Sequence, residues 1–128
     1  MYIEEKLEQY EKALKKLEEV LNLDFNDIVR DSAIQRFEIC FELSWKAMKQ
    51  ALEFKGIIPG NSPRNVFQNS FKLDWINDEN TWIEILSMRN ISTHTYNETL
   101  ANSLYQKLPG FLSEMKSSLQ KIKTDTGL

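Results

Sequence analysis

The chain is 128 residues long, which predicts one domain able to bury a core without disulfides or structural metal. Hydrophobic residues make up 41% and charged residues 27%, values of a globular chain rather than a disordered or collagen-like one. Sixteen basic against nineteen acidic side chains leave a formal charge of −3, which argues against generic coating of nucleic acid but leaves room for a local phosphate site.

Cys40 and His94 are single examples of their types, so neither an intrachain disulfide nor a Cys/His zinc site is expected, and no metal or cofactor is called for. No stretch approaches the roughly 20 apolar residues that span a bilayer. The opening Met-Tyr-Ile-Glu-Glu-Lys turns charged at once and carries no apolar signal core. A cytoplasmic chain without a membrane partner is expected.

In the first segment Ile3, Leu7, Tyr10, Leu14, Leu17 and Leu21 recur at alternating spacings of four and three, which predicts a helix over 2–22. Glu8/Lys12 and Glu11/Lys15 decorate its opposite, solvated face. A second helix is predicted from Asp27 to Lys55, stopped by Gly56. Its apolar residues, from Ile28 through Phe37, Phe41 and Met48 to Phe54, cover more than one stripe, as in a central helix or one facing two partners.

Ser62 followed by Pro63 reads as a helix start, giving a short helix over 63–73 with Val66 and Phe67 inward. A polar connector, 74–80, contains Trp75 and Ile76. A fourth helix over 80–92 carries Trp82, Ile85 and Leu86 inward, and should fray or bend in the Ile91–Tyr96 stretch, which is poor in helix formers. Asn97 then caps a last helix to Lys123, which Pro109 should kink. The domain is expected to occupy residues 1–123, with 124–128 as a flexible tail. No segment shows two-residue alternation, so the predicted fold is all-α: an antiparallel four-helix bundle with an additional short helix.

Strong enzyme motifs are missing: there is no phosphate-binding glycine loop, no nucleophile elbow, and no Gly-Ser dipeptide of the kind that opens a nucleotidyltransferase site. One constellation remains, Arg89-Asn90-Ile91-Ser92-Thr93-His94-Thr95-Tyr96. Arginine offers a cationic fork for phosphate and histidine exchanges protons near neutral pH. Together they are enough to cleave RNA without metal, with histidine moving the protons and arginine steadying the developing charge.

Five residues on an ideal helix turn through about 500°, so Arg89 and His94 would point about 140° apart. They converge only if the helix bends or ends between them, or if a second subunit completes the site. The same spacing also suits a histidine at a helix end and an arginine in a surface ion pair. Lys46 and Lys49 offer further cations, either as a phosphate-facing strip or as a solvated edge, while Arg36 and Glu42, six residues apart, sit on different sides of the second helix. Trp45 reads either as core or interface filler or as a platform for a base.

Three segments carry a resemblance: Ile34-Gln35-Arg36-Phe37-Glu38 running into Phe41-Glu42-Leu43-Ser44-Trp45-Lys46; Ser62-Pro63-Arg64 with Val66-Phe67; and Arg89-Asn90 through His94-Thr95-Tyr96-Asn97-Glu98. Together they resemble the nucleotidyltransferase substrate-binding protein family of the HEPN superfamily (higher eukaryote and prokaryote nucleotide-binding), over residues 5–120. The resemblance implies a dimeric helical bundle encoded beside a minimal nucleotidyltransferase, in a two-component, toxin–antitoxin-like module.

It also implies a nucleotide or RNA ligand at Arg89, Asn90, His94 and Tyr96, with Arg36 and Lys46 in support. The wider superfamily contains HepT-like ribonuclease toxins with an arginine, four to six residues, then a histidine, which Arg89 and His94 match. Their partner silences them by adenylylating a tyrosine two residues after the histidine, the position of Tyr96. The implied readings are a substrate-binding subunit, a metal-independent endoribonuclease with Arg89 and His94 catalytic, or a ligand-free helical adaptor.

Overall fold

The structure is a computed structural model that describes residues 2–128. Five helices follow in order: α1 (Tyr2–Leu21), α2 (Asp27–Phe54), α3 (Pro63–Lys72), α4 (Glu79–Ile91) and α5 (Glu98–Thr126), with a 3₁₀ turn, Ser92–His94, between α4 and α5. There is no strand among the described residues.

Local chemistry sets the helix ends. Asn26, Ser62, Asp78 and Asn97 each accept a backbone N–H of the first turn through the side chain, which satisfies a donor the helix leaves unpaired. Pro63 occupies the first turn of α3, where a missing N–H costs nothing. At the end of α2, Gly56 adopts φ +78°. Its N–H donates to Glu53 O while Ile57 N–H donates to Leu52 O, a pair of bonds that closes the last turn and needs a left-handed residue.

Contacts between helices give their directions. Lys123 meets Glu11 while Lys116 meets Glu18, so α1 and α5 run antiparallel. Arg89 meets Glu42 while Ser92 meets Glu38, so α4 runs antiparallel to α2. Arg30 bonds Asn102, Phe37 packs on Phe111, and Lys55 pairs with Asp125, so α2 and α5 run parallel. The result is an up-and-down bundle of α1, α2, α4 and α5, with the short α3 packed on α2 and α4.

The core runs through all five helices. Tyr10, Leu14 and Leu17 of α1 are buried, as are Phe37 and Met48 of α2 and Leu104, Leu108 and Met115 of α5. Phe67 of α3 packs between Phe41 (5.9 Å between ring centroids) and Trp82 (4.9 Å), tying α3 and α4 to α2. Trp75 and Ile76, within the polar connector, are each 1% exposed. Burial of a large apolar side chain contributes roughly 1.5–3 kcal/mol, so these two hold the connector on the bundle. The Trp75 indole N–H donates to Asp125 Oδ2 (2.8 Å), and that of Trp82 to Glu114 Oε1 (3.1 Å).

One expectation changes here. The tail expected to be loose from Thr124 is helical through Thr126, because Asp125 is held by Lys55 and Trp75 and Gly127 closes the helix at φ +76°. Pro109, where a kink is expected, lies inside α5, which is continuous in its helical assignment across that residue, with Pro109 and Gly110 both exposed.

Candidate functional site

The antiparallel arrangement brings the end of α4, the start of α5 and the α1–α2 connector to one end of the bundle. There Phe25 of the connector packs on Tyr105 of α5 at 5.2 Å, and the buried Arg30 reaches Asn102 Oδ1 at 3.1 Å. The α4–α5 corner carries the Arg89–Tyr96 constellation.

Arg89 lies in the last turn of α4 and points at α2. Its Nη2 is 3.4 Å from Glu42 Oε1, and its guanidinium carbon is 5.9 Å from the centre of the Phe41 ring. Its Nε is buried without a hydrogen-bond partner. A buried donor left unpaired is uncommon and costly. Glu42 is shared: its Oε2 accepts the Trp45 indole N–H at 3.3 Å and lies 4.0 Å from Lys46 Nζ.

The helix ends between Arg89 and His94, as the spacing required for any convergence. Ser92, almost fully buried, directs the change: its hydroxyl lies 2.7 Å from Arg89 O and 2.9 Å from Glu38 Oε2. The 3₁₀ turn that follows exposes His94, whose Nδ1 is 3.3 Å from Tyr96 Oη, with the two rings edge to face at 5.8 Å. Tyr96 is 83% exposed.

Of the residues singled out in the sequence, the structure pairs His94 with Tyr96, and places Arg89 and Lys46 on one carboxylate. No hydrogen bond or ion pair joins Arg89 to His94 or Tyr96 among the described residues. Asn90 is exposed beside Arg89. Arg36 is not brought to the cluster: it faces α1 and donates to the Lys16 carbonyl at 2.5 Å, because its place on α2 lies two residues from Glu38, toward a different neighbour. The surface ion pair weighed for Arg89 is present, and its partner is Glu42.

Sequence reasoning did not select Glu38, Glu42 or Ser92 as site residues. The available signal was the i,i+4 spacing of Glu38 and Glu42, two carboxylates on one face of α2. No cluster of three or more His, Cys, Asp or Glu side chains suited to a metal ion occurs among the described residues. Among the described residues no helix is long and apolar enough to cross a membrane.

Residues 5–124 match the family model described as "Nucleotidyltransferase substrate binding protein like". The chain belongs to this family. A Haemophilus influenzae protein named "Probable ribonuclease HepT" is 32% identical over 104 residues, covering 75% of this chain and 71% of that protein. Two solved structures share the fold. A Thermus thermophilus protein has a TM-score of 0.83 at 35% identity, covering 89% of this chain and 98% of its own. A Haemophilus influenzae protein, described as revealing the fold of a substrate binding domain of a nucleotidyltransferase, has a TM-score of 0.83 at 26% identity, covering 91% and 98%. The helical bundle expected from the sequence is thus the fold of this family.

Proposed function

We propose that the chain is the substrate-binding subunit of a two-component module, that it pairs with a separately encoded minimal nucleotidyltransferase, and that Tyr96 is the hydroxyl on which that partner acts. The observation that carries this reading is the exposed Tyr96 phenol with its oxygen 3.3 Å from His94 Nδ1. A transferase must reach its acceptor, and a phenol becomes a competent nucleophile when a neighbouring base takes its proton. Unprotonated Nδ1 accepts that proton as Oη attacks the α-phosphorus of a nucleoside triphosphate. The bond to pyrophosphate breaks and a tyrosyl phosphodiester remains.

Coexpression with the neighbouring nucleotidyltransferase tests this by intact mass. The expected result is an increment of one nucleoside monophosphate on the wild type and none on Tyr96→Phe. An unmodified wild type beside a partner active on another acceptor overturns it.

The second reading is a metal-independent endoribonuclease that Tyr96 modification silences. It is favoured by the Arg89 guanidinium, about a third exposed at this corner, and by the relative named as a probable ribonuclease. In this reading His94 takes the proton of a ribose 2′-hydroxyl, that oxygen attacks the adjacent phosphorus, and the 5′-oxygen leaves with the proton that His94 returns, giving a cyclic phosphate and a free 5′-hydroxyl. Arg89 balances the charge on the phosphoryl oxygens.

Arg89 and His94 of one chain make no direct hydrogen bond among the described residues, and a homodimer would bring a second copy of the pair to the same end of the bundle. Ile28 and Ile39, 81% and 50% exposed on α2, provide apolar surface for one. RNA cut in chelator by wild type but not by Arg89→Ala or His94→Ala supports the reading. Intact RNA with unmodified, dimeric protein removes it. Loss of no function in any of the Arg89, His94 and Tyr96 variants leaves only the helical adaptor.

A further inference from the structure

His94 and Tyr96 are separated by one residue, a spacing that on an α-helix turns two side chains about 200° away from each other. They meet because the chain has left the helix by then: Ser92–His94 is a 3₁₀ turn, and Thr95, at φ −76° and ψ 1°, ends it. Such turns are short and their own hydrogen bonds are poorer than those of an α-helix, so what holds one in place lies outside it. The contact between imidazole and phenol is therefore only as well defined as the anchor of residues 92–96.

That anchor is on α2. The buried Ser92 hydroxyl lies 2.9 Å from Glu38 Oε2 and 2.7 Å from Arg89 O. Arg89 O also accepts the Ser92 backbone N–H, whereas the Glu38 carboxylate has no other hydrogen bond or ion pair among the described residues. A bond to an ionised acceptor is stronger than one to a carbonyl. It is also, among the described residues, the one side-chain hydrogen bond that ties residues 92–96 to a helix other than α4. From Ser92 the restraint passes along the chain. Thr95 Oγ1 donates to Ser92 O at 3.1 Å, and the Asn97 N–H donates to His94 O at 3.1 Å, while the Asn97 side chain caps α5. His94 is thus held between a fixed point on α2 and the cap of α5.

We infer that Glu38 is a positioning residue: through Ser92 it fixes the turn that sets the His94 imidazole against the Tyr96 phenol. It forms no hydrogen bond with either ring among the described residues. The value of this placement for chemistry rests on the role proposed above for His94 and Tyr96; the placement itself does not. Glu42, one turn further along α2, holds Arg89 instead of the turn. Two carboxylates on one helix thereby divide the task, one placing the imidazole and the other the guanidinium.

His94 is the sole histidine, so its ring signals are read by NMR without ambiguity. The test compares ring ¹⁵N shifts, and the nuclear Overhauser contact between the His94 and Tyr96 rings, in purified wild type, Glu38→Ala, Glu38→Gln and Glu42→Gln. Tyr96→Phe marks the imidazole without its phenol partner. The expected result is that Glu38→Ala loses the contact and takes on the ring shifts of Tyr96→Phe. Glu38→Gln, which keeps an acceptor oxygen at the same reach, retains the wild-type signals, and so does Glu42→Gln. Incubated with the transferase, Glu38→Ala is modified about tenfold more slowly at saturation with KM unchanged, because the base is misplaced while docking is intact.

A Glu38→Ala chain that is folded by circular dichroism and keeps the wild-type contact and shifts overturns the inference. So does an equal loss of the contact in Glu42→Gln, which would mean a general loosening of α4. Should Glu38→Ala unfold, Ser92→Ala takes its place with the same expected and contrary results. A transferase that leaves wild-type Tyr96 unmodified counts against the proposed function and not against the positioning, which the ring signals report without any partner.

Discussion

Glu42 and Arg89 meet across the α2–α4 contact, Oε1 to Nη2 at 3.4 Å, while the other oxygen of the same carboxylate holds Trp45. The two side chains are 40% and 32% exposed, so the pair adds little to stability. Its consequence is electrostatic: the guanidinium already has a counter-charge before any phosphate arrives.

Glu42→Gln therefore raises affinity for phosphate ligands. Removing a competitor worth about 0.5–1 kcal/mol predicts a gain of roughly two- to fivefold for a short RNA. Fluorescence anisotropy at fixed ionic strength measures it, since the term is salt-dependent. Unchanged or weaker binding would mean that Glu42 and the ligand do not compete for Arg89.

Ser92→Ala removes the hydroxyl shared by Glu38 and the Arg89 carbonyl at the point where α4 gives way to the 3₁₀ turn. A loss of about 1–2 kcal/mol in urea unfolding is expected, because the hydroxyl is buried and its single proton is the donor shared between the two acceptors. A loss within error of zero would show that water replaces the hydroxyl without cost.

Asp125 fastens the end of α5 to two distant segments. Asp125→Ala leaves the Trp75 indole N–H without its acceptor and should cost about 1–3 kcal/mol, read as a lowered Tm. Hydrogen bonds from Lys55 and then Trp75 hold the Asp125 carboxyl below its usual pKa of 3.8. A lowered pKa means stabilisation that is present above 3.8 and lost as pH falls through the depressed value. The gap between wild type and Asp125→Ala should therefore narrow in acid; a gap that widens would contradict the assignment.

Alkali should act through two buried acids. Burial pushes the Cys40 thiol up from 9.0 to about 12, and also raises the Tyr10 phenol, which is enclosed between α1 and α5. Both groups ionise first in the unfolded chain, so their contribution is complete below the unfolded pKa and declines as pH rises. From about pH 9 the thiol alone predicts a loss of roughly 1.4 kcal/mol per pH unit. Urea unfolding across this range should show a shallower decline in Cys40→Ala; an equal slope would assign the effect elsewhere.

The helices were legible because their apolar spacing and capping residues are local signals. Ile3 through Leu17 mark one face, Ser62-Pro63 marks a start, and Gly56 a stop, and each is where the chain does what the pattern says. The end of α5 was not legible, because what holds residues 124–126 is a carboxylate contacting Lys55 and Trp75, 70 and 50 residues away. The burial of Trp75 and Ile76 within a polar connector has the same origin.

At the site, Arg89, His94 and Tyr96 stood out because their residue types and spacing carry chemistry. Glu42 and Ser92 did not, since their importance depends on the register in which α4 crosses α2. Arg36 looked equivalent to other cations in the sequence, but its helix face points it at the Lys16 carbonyl.

Glu38 and Glu42 are one turn apart on a single rigid helix and grip α4 through Ser92 and Arg89 respectively. The end of α4 is thus fastened by a two-point latch. Loss of either contact alone would leave the end of α4 still tied to α2 by the other.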